Sequence, residues 1–168
     1  MSRPTPADPA DSLAFRQVMG RFATGVAVVS LARGDGTIGA MTINSFVSVS
    51  LEPMLVSWSL QNASSHFGDF AAAEAFAISI LAEGQEALAR RYAARGDAAQ
   101  IASDFIRTAA GLPVIAGSLG HVECRRWALH PAGDHTLILG EVTAFASGEP
   151  GRPLTFFGGR FGGLENDD

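Results

Sequence analysis

The sequence predicts a mainly β domain, a closed or split antiparallel barrel with helices at its flanks. Three observations predict it. Six or seven short β-rich runs recur along the chain with turn signals between them. Helical patterns fall at irregular places rather than after every strand, which disfavours a doubly wound parallel sheet. The 168 residues hold no internal repeat and no linker, so one core is expected.

The elements follow in order. Residues 1–11, within "MSRPTPADPADS", lack the apolar run of a signal peptide and are expected to be a disordered lead. Phe15, Val18, Met19 and Phe22 fall at i, i+3, i+4 and i+7, one apolar helical face, with Asp11 or Ser12 as its cap. "VAVVSLA", Val26 to Ala32, is a strand. "GDG", Gly34 to Gly36, is a hairpin turn. "TIGAMTINSFVSVS" returns as one long strand, or as two strands with a bend. "MLVSWSL", Met54 to Leu60, is another strand. The loop "QNASSHFGDF" runs into a short helix near Phe67 to Ala73. "AFAISIL", Ala75 to Leu81, is a strand, and "QEALARRYAA" from Gln85 is a helix with Arg90 and Arg91 near its favourable C-terminal end. The segment from Asp97 to Gly111 is ambiguous. "GSLGHVECRRWALH" and "HTLILGEVTAFASG" are two long strands joined by "PAGD". "PLTFFGGRFGG" reads as a last strand, and residues 165–168 are an acidic tail. Residues 12–164 therefore form the expected domain.

Composition narrows the function. The chain is 47% hydrophobic and 17% charged, with mean hydropathy +0.19. That is slightly greasy for a globular protein, and an oligomer interface would account for it. No apolar run approaches the roughly 20 residues of a membrane helix. Net charge is −5 and arginines form no long cluster, so nucleic acid is not an expected partner. The one cysteine, Cys124, excludes an intrachain disulfide and suits the cytoplasm.

Several motifs resolve into turns. "GDGTIG", Gly34 to Gly39, spells G-x-G-x-x-G, but a dinucleotide fingerprint must open a helix and β-formers follow here. "AGSLG", Ala116 to Gly120, nearly spells a nucleophile elbow, yet a strand follows Ser118 where a helix is required. His121, Cys124, His130 and His135 are close in sequence. On a strand His121 and Cys124 point apart, so no metal site is expected, and Cys124 reads as a buried apolar position.

Two stretches carry more. "MTINSFVSVSLEPML", Met41 to Leu55, places the small neutral groups Thr42, Asn44, Ser45, Ser48 and Ser50 along one run. These either face solvent on an edge strand or satisfy a ligand with many weak polar atoms. "QNASSH", Gln61 to His66, either caps the next helix or offers hydroxyls and backbone N–H groups to a phosphate. In "PAGDHTLILGEV", Gly133 and Asp134 make a tight turn and His135 begins a strand, either on the surface or at a barrel rim.

With these blocks in order, "FRQVMGRFATGVAVVS", "GAMTINSFVSVSLEPMLV", "GDHTLILGEV" and "PLTFFGGRFGGL", the chain resembles the short-chain flavin reductases, the reductase components of two-component flavin-dependent monooxygenases. The resemblance runs from about Phe15 to Leu164. It implies a six-stranded antiparallel Greek-key split barrel working as a homodimer. It implies non-covalent FMN or FAD, with NADH or NADPH as hydride donor and a separate oxygenase receiving the reduced flavin. By position it places Thr42, Asn44, Ser45, Ser48, Val49 and Ser50 at the flavin ring and ribityl chain. It places Ser59, Asn62, Ser64 and Ser65 towards the ribityl or phosphate end. Gly133, Asp134 and His135 fall near flavin and nicotinamide, with His135 orienting the latter, and Arg160 and Phe161 lie close to the cofactor. Two departures stand out: Glu52-Pro53-Met54 where relatives often have Pro-Pro, and Phe161 where they often have tyrosine. The alternatives are a flavin-binding electron carrier without efficient NAD(P)H turnover, and a barrel serving only as an interaction or haem-binding module.

Overall fold

The computed structural model describes residues 6, 8, 10–94 and 101–164. The expected N-terminal lead lies largely outside the described residues and the acidic tail wholly so. The fold is mainly β. Helix α1 (Ser12–Met19) is followed by β1 (Thr24–Gly25), β2 (Ala27–Ala32), β3 (Ile38–Ile43), β4 (Val47–Leu51) and β5 (Met54–Gln61). Then come α2 (Phe67–Ala72), β6 (Ala75–Ile80), α3 (Glu86–Ala93), β7 (Phe105–Arg107) and β8 (Pro113–Ile115). Two long strands, β9 (Gly120–Ala132) and β10 (His135–Ser147), precede the small hairpin β11 (Thr155–Phe157) and β12 (Arg160–Gly162).

The main sheet runs β3-β2-β6-β9-β10-β5-β4, with every neighbouring pair antiparallel. It has seven strands where six were expected. The return from the Gly34–Gly36 turn breaks at Asn44–Phe46 into β3 and β4, which lie at opposite edges of the sheet. Laid flat, seven strands at about 4.8 Å spacing would put those edges nearly 30 Å apart. Three linking residues reach only about 14 Å. The sheet must therefore curl until its edges are neighbours.

Strand β2 is buried on both sides, which explains its continuous apolar run. Ala27, Val29 and Leu31 join a core with Trp58, Phe70, Phe76 and Ile138, where α2 packs. Trp58 meets Phe70 and Phe76 edge to face, with centroids 5.1 and 5.9 Å apart. Val26 and Val28 join a second core with Ala89 and Tyr92 of α3 and with Phe105, Ile115 and Leu154. Two buried serines in these layers are bonded: Ser30 Oγ donates to the Pro113 carbonyl at 2.6 Å, and Ser79 Oγ accepts from Ile115 N–H at 3.0 Å.

Both motif readings as turns hold. Gly36 sits at φ +86° in the β2–β3 hairpin, and Ser118 lies in a turn that leads into β9. Cys124 is fully buried, and burial pushes its thiol up to about 12. The ambiguous segment contributes β7, which pairs with β8, while residues 97–100 lie outside the described residues. The expected last strand is a hairpin instead, turned at Gly158 and Gly159, both with positive φ, and β11 pairs with β1. Asp11 caps α1 by accepting from Leu13 and Ala14 N–H. The apolar face of α1 is uncovered: Leu13, Phe15, Val18 and Met19 are each at least half exposed.

Candidate functional site

After Ile43 the chain leaves β3 and crosses towards β4. Ser45 pins this crossing, since its Oγ accepts from Ser59 N–H on β5 at 3.0 Å. Asn44 and Ser45 thereby face a cleft of about 860 Å³ with Arg16, Phe22, Thr24 and Phe156 also in its walls. The walls belong to α1 and the turn after it, to β1, and to β11. Thr24 Oγ1 is buried there and has no hydrogen-bond partner among the described residues. A second cleft, about 580 Å³, opens by Thr42, two residues back along β3. Ser64, Ser65, His66 and Tyr92 line it. Thr42 Oγ1 donates to the Ala89 carbonyl at 2.7 Å and ties β3 to α3. A small-molecule site is typically about 300–1,000 Å³, mostly apolar with a few placed polar groups.

The expected residues divide between these places. Asn44 and Ser45 line the first cleft; Thr42, Ser64 and Ser65 line the second. Ser48, Val49 and Ser50 belong to β4 and line neither. The β4–β5 register shifts between Ser48 and Ser50, and Ser50 Oγ accepts from Glu52 N–H at 3.3 Å. Ser59 acts through its backbone on Ser45. Ser64 Oγ accepts from His66 N–H at 3.2 Å, just ahead of α2.

Asn62 is a clasp. Its N–H donates to the Asp134 carbonyl at 2.9 Å, its Nδ2 to the Gly133 carbonyl at 3.4 Å, and its Oδ1 accepts from Thr136 Oγ1 at 2.8 Å. It fixes the β9–β10 turn, where Gly133 takes φ +66°. His135 pairs across the sheet with Gln61, which lines the second cleft. His135 Nδ1 and Asp134 Oδ1 lie 2.8 Å apart. That bond, then the charge of the ring, holds the Asp134 carboxyl below its ordinary value, with a smaller contribution from Arg16. Phe161 packs on Phe156 at 5.2 Å between centroids, with the Arg90 guanidinium 4.9 Å from its ring centre. Arg160, on β12, is exposed.

Sequence reasoning missed Arg16, Phe22, Thr24 and Phe156 in the first cleft and Tyr92 in the second. Their only signal was position. Phe22 was assigned to an apolar helical face, yet it lies beyond α1.

A model of the flavin reductase-like domain matches residues 19–165. The chain belongs to that family. It is 47% identical over 152 residues to FMN reductase (NADH) SmoA of Agrobacterium fabrum, covering 90% of this chain and 86% of that one. It is 37% identical over 144 residues to the reductase component of 4-hydroxyphenylacetate 3-monooxygenase of Thermus thermophilus, covering 86% and 91%. Its fold superposes on the NADH:FAD oxidoreductase SgcE6 of Streptomyces globisporus, solved with NAD and FAD fragments. There the TM-score is 0.90 at 36% identity, covering 98% of this chain and 99% of that chain.

Proposed function

We propose that the protein is an NAD(P)H-dependent flavin reductase that supplies reduced flavin to a separate oxygenase. The observation that carries the reading is the cleft beside Asn44 and Ser45. Its volume suits a three-ring heteroaromatic, its walls hold Phe22 and Phe156, and its polar groups are neutral apart from Arg16. The partnerless Thr24 hydroxyl among those walls is a further polar atom on that side. Relatives named as NADH-dependent FMN and FAD reductases, and as monooxygenase reductase components, support the same reading.

In this reading residues 12–164 act as one domain, and the curled sheet is the split barrel of the family. FMN or FAD binds non-covalently, and when bound it supplies a hydride acceptor. The chain's own residues bind and orient. Asn44 and Ser45 meet the ring edge with neutral donors and acceptors, and the crossing is held rigid by Ser59. Thr42, Ser64 and Ser65 receive the ribityl and phosphate end in the second cleft. His135, oriented by Asp134, positions the nicotinamide at the rim, and holding two rings at contact distance supplies most of the catalysis. Ser48, Val49, Ser50, Arg160 and Phe161 complete the surroundings once a second copy is present. The uncovered apolar residues of α1, with Val47, Val49, Leu51 and Met54 of the β4–β5 hairpin, support a homodimer. The single buried Cys124 fits a cytoplasmic setting.

The test is steady-state NADH and NADPH oxidation by purified protein, with and without added FMN, FAD or riboflavin. Oxidation that needs added flavin and saturates in both substrates supports the reductase. Absent oxidation with a copurifying flavin would replace it with an electron carrier.

A further inference from the structure

The chain has twelve arginines and no lysine, within a net charge of −5. Ten arginines are among the described residues. Seven of them are spent inside the fold. Arg33, Arg90, Arg91, Arg125 and Arg152 pair with carboxylates, and Arg107 and Arg126 donate to backbone carbonyls. The guanidiniums of Arg16, Arg21 and Arg160 make no hydrogen bond or ion pair with another described residue, and all three residues are exposed.

One of the three lines the first cleft, and the other two stand in sequence beside residues that do. Arg16 is in its wall, Arg21 stands between Gly20 and Phe22 of that wall, and Arg160 follows Gly159, also of that wall. The two segments are tied together, because Gly158 N–H donates to the Gly20 carbonyl at 2.8 Å. Two nearby acids are engaged elsewhere. Asp134 feels the charge of Arg16 but is bonded to His135. Glu83 approaches Gly163 but is paired with Arg152. An overall acidic molecule thus carries, on segments that adjoin one cleft, three exposed arginines whose guanidiniums form no ion pair among the described residues.

Resting on the reductase reading, we infer that Arg16, Arg21 and Arg160 form the docking point for the diphosphate of the nicotinamide dinucleotide. A guanidinium matches phosphate oxygens with paired N–H donors and keeps its charge at every working pH. A local cationic rim on an acidic protein both attracts the dianion and fixes where it lands. The second cleft, with its serines, is left for the flavin's own phosphate.

The test uses riboflavin as acceptor, since it carries no phosphate, and compares wild type with the R16A/R21A double variant and with R160A at low salt. Exposed, partnerless side chains leave the melting temperature nearly unchanged. At roughly two- to fivefold per exposed charge contact, the double variant should raise the KM for NADH about tenfold, and R21A alone, outside the cleft wall, should raise it two- to fivefold, with kcat and the KM for riboflavin held. R160A should raise it two- to fivefold. R16K/R21K should keep most of the wild-type KM. Added salt should lower the wild-type kcat/KM for NADH more steeply than that of the double variant. Equal losses with NADH and NADPH support the diphosphate. A loss confined to NADPH overturns it in favour of the 2′-phosphate. An unchanged KM for NADH overturns it outright, as does a loss that appears only as a raised KM for FMN or FAD. Calorimetric titration with NAD⁺ separates this inference from the reductase reading. Weaker binding by the double variant supports the arginines even if the wild type lacks turnover, and equal binding, or none by the wild type, refutes them.

Discussion

Replacing Asn62 with alanine should unclasp the turn that carries Asp134 and His135. The backbone bond to Asp134 survives, but both side-chain bonds go. The 2.8 Å bond from Thr136 is the better one; the 3.4 Å bond to Gly133 is long and adds little. A net hydrogen bond is worth about 0.5–1.5 kcal/mol, and a buried donor left without a partner costs about 1–3 kcal/mol. Thr136 is 8% exposed, so most of that second cost applies. The expected loss is about 2 kcal/mol, which lowers the melting temperature of a chain this size by roughly 4–8 °C. Thermal melts of N62A, T136V and the double variant give the coupling. The double variant should be no less stable than N62A, because it leaves no orphaned hydroxyl. Activity should follow the turn, with a raised KM for NAD(P)H. An unchanged N62A melt, or losses that simply add, would refute the clasp.

Other outcomes follow from named contacts. His135→Ala should raise the KM for NAD(P)H while flavin affinity, read by fluorescence quenching, stays near wild type; equal losses in both would remove His135 from the nicotinamide side. Gly140→Ala would bring a Cβ to 2.7 Å from Phe76 and 2.8 Å from Cys124, so overpacking should cost about 1–3 kcal/mol in a denaturant titration. At alkaline pH the sign is set by Cys124 and Tyr92, both pushed up to about 12, from 9.0 and 10.0, chiefly by burial. The unfolded chain loses these protons first, so stability should fall progressively between about pH 9 and pH 12. Cys124→Ala should flatten the lower part of that decline in a chemical-denaturation series. A decline of equal steepness in that variant would point to other groups.

The sequence carried the strands because their causes are local. β2, β5 and β6 are short β-branched or aromatic runs between turn residues, and Gly36 and Gly133 mark hairpins by chemistry that acts over a few residues. The break between β3 and β4 was legible only as one of two options, since Asn44–Phe46 holds neither glycine nor proline and bends because the curled sheet requires it. The β11–β12 hairpin was read as one strand: its turn is Gly158-Gly159, a signal that also suits a bulge, and each arm has only three residues. The site was legible in part for the same reason. Asn44 and Ser45 announce themselves as small polar groups among apolar neighbours. Arg16 and Phe156 become wall residues only when α1 and β11 are brought to β1, and no periodicity encodes that. Ser64 reads as a candidate helix cap, yet in the structure its hydroxyl holds His66 N–H, a choice that depends on where α2 starts.

The chain is expected to move hydride from a nicotinamide to a flavin bound beside Asn44 and Ser45. The most direct measurement is anaerobic. Protein with stoichiometric FMN or FAD is mixed with NADH or NADPH, and the yellow absorption of the oxidised flavin is followed in a single turnover. Rapid bleaching that requires the protein, and that slows when Asn44 and Ser45 are both replaced by alanine, is the expected result. Flavin that stays oxidised with either nicotinamide, under conditions where dithionite bleaches it, would rule out hydride transfer by this chain.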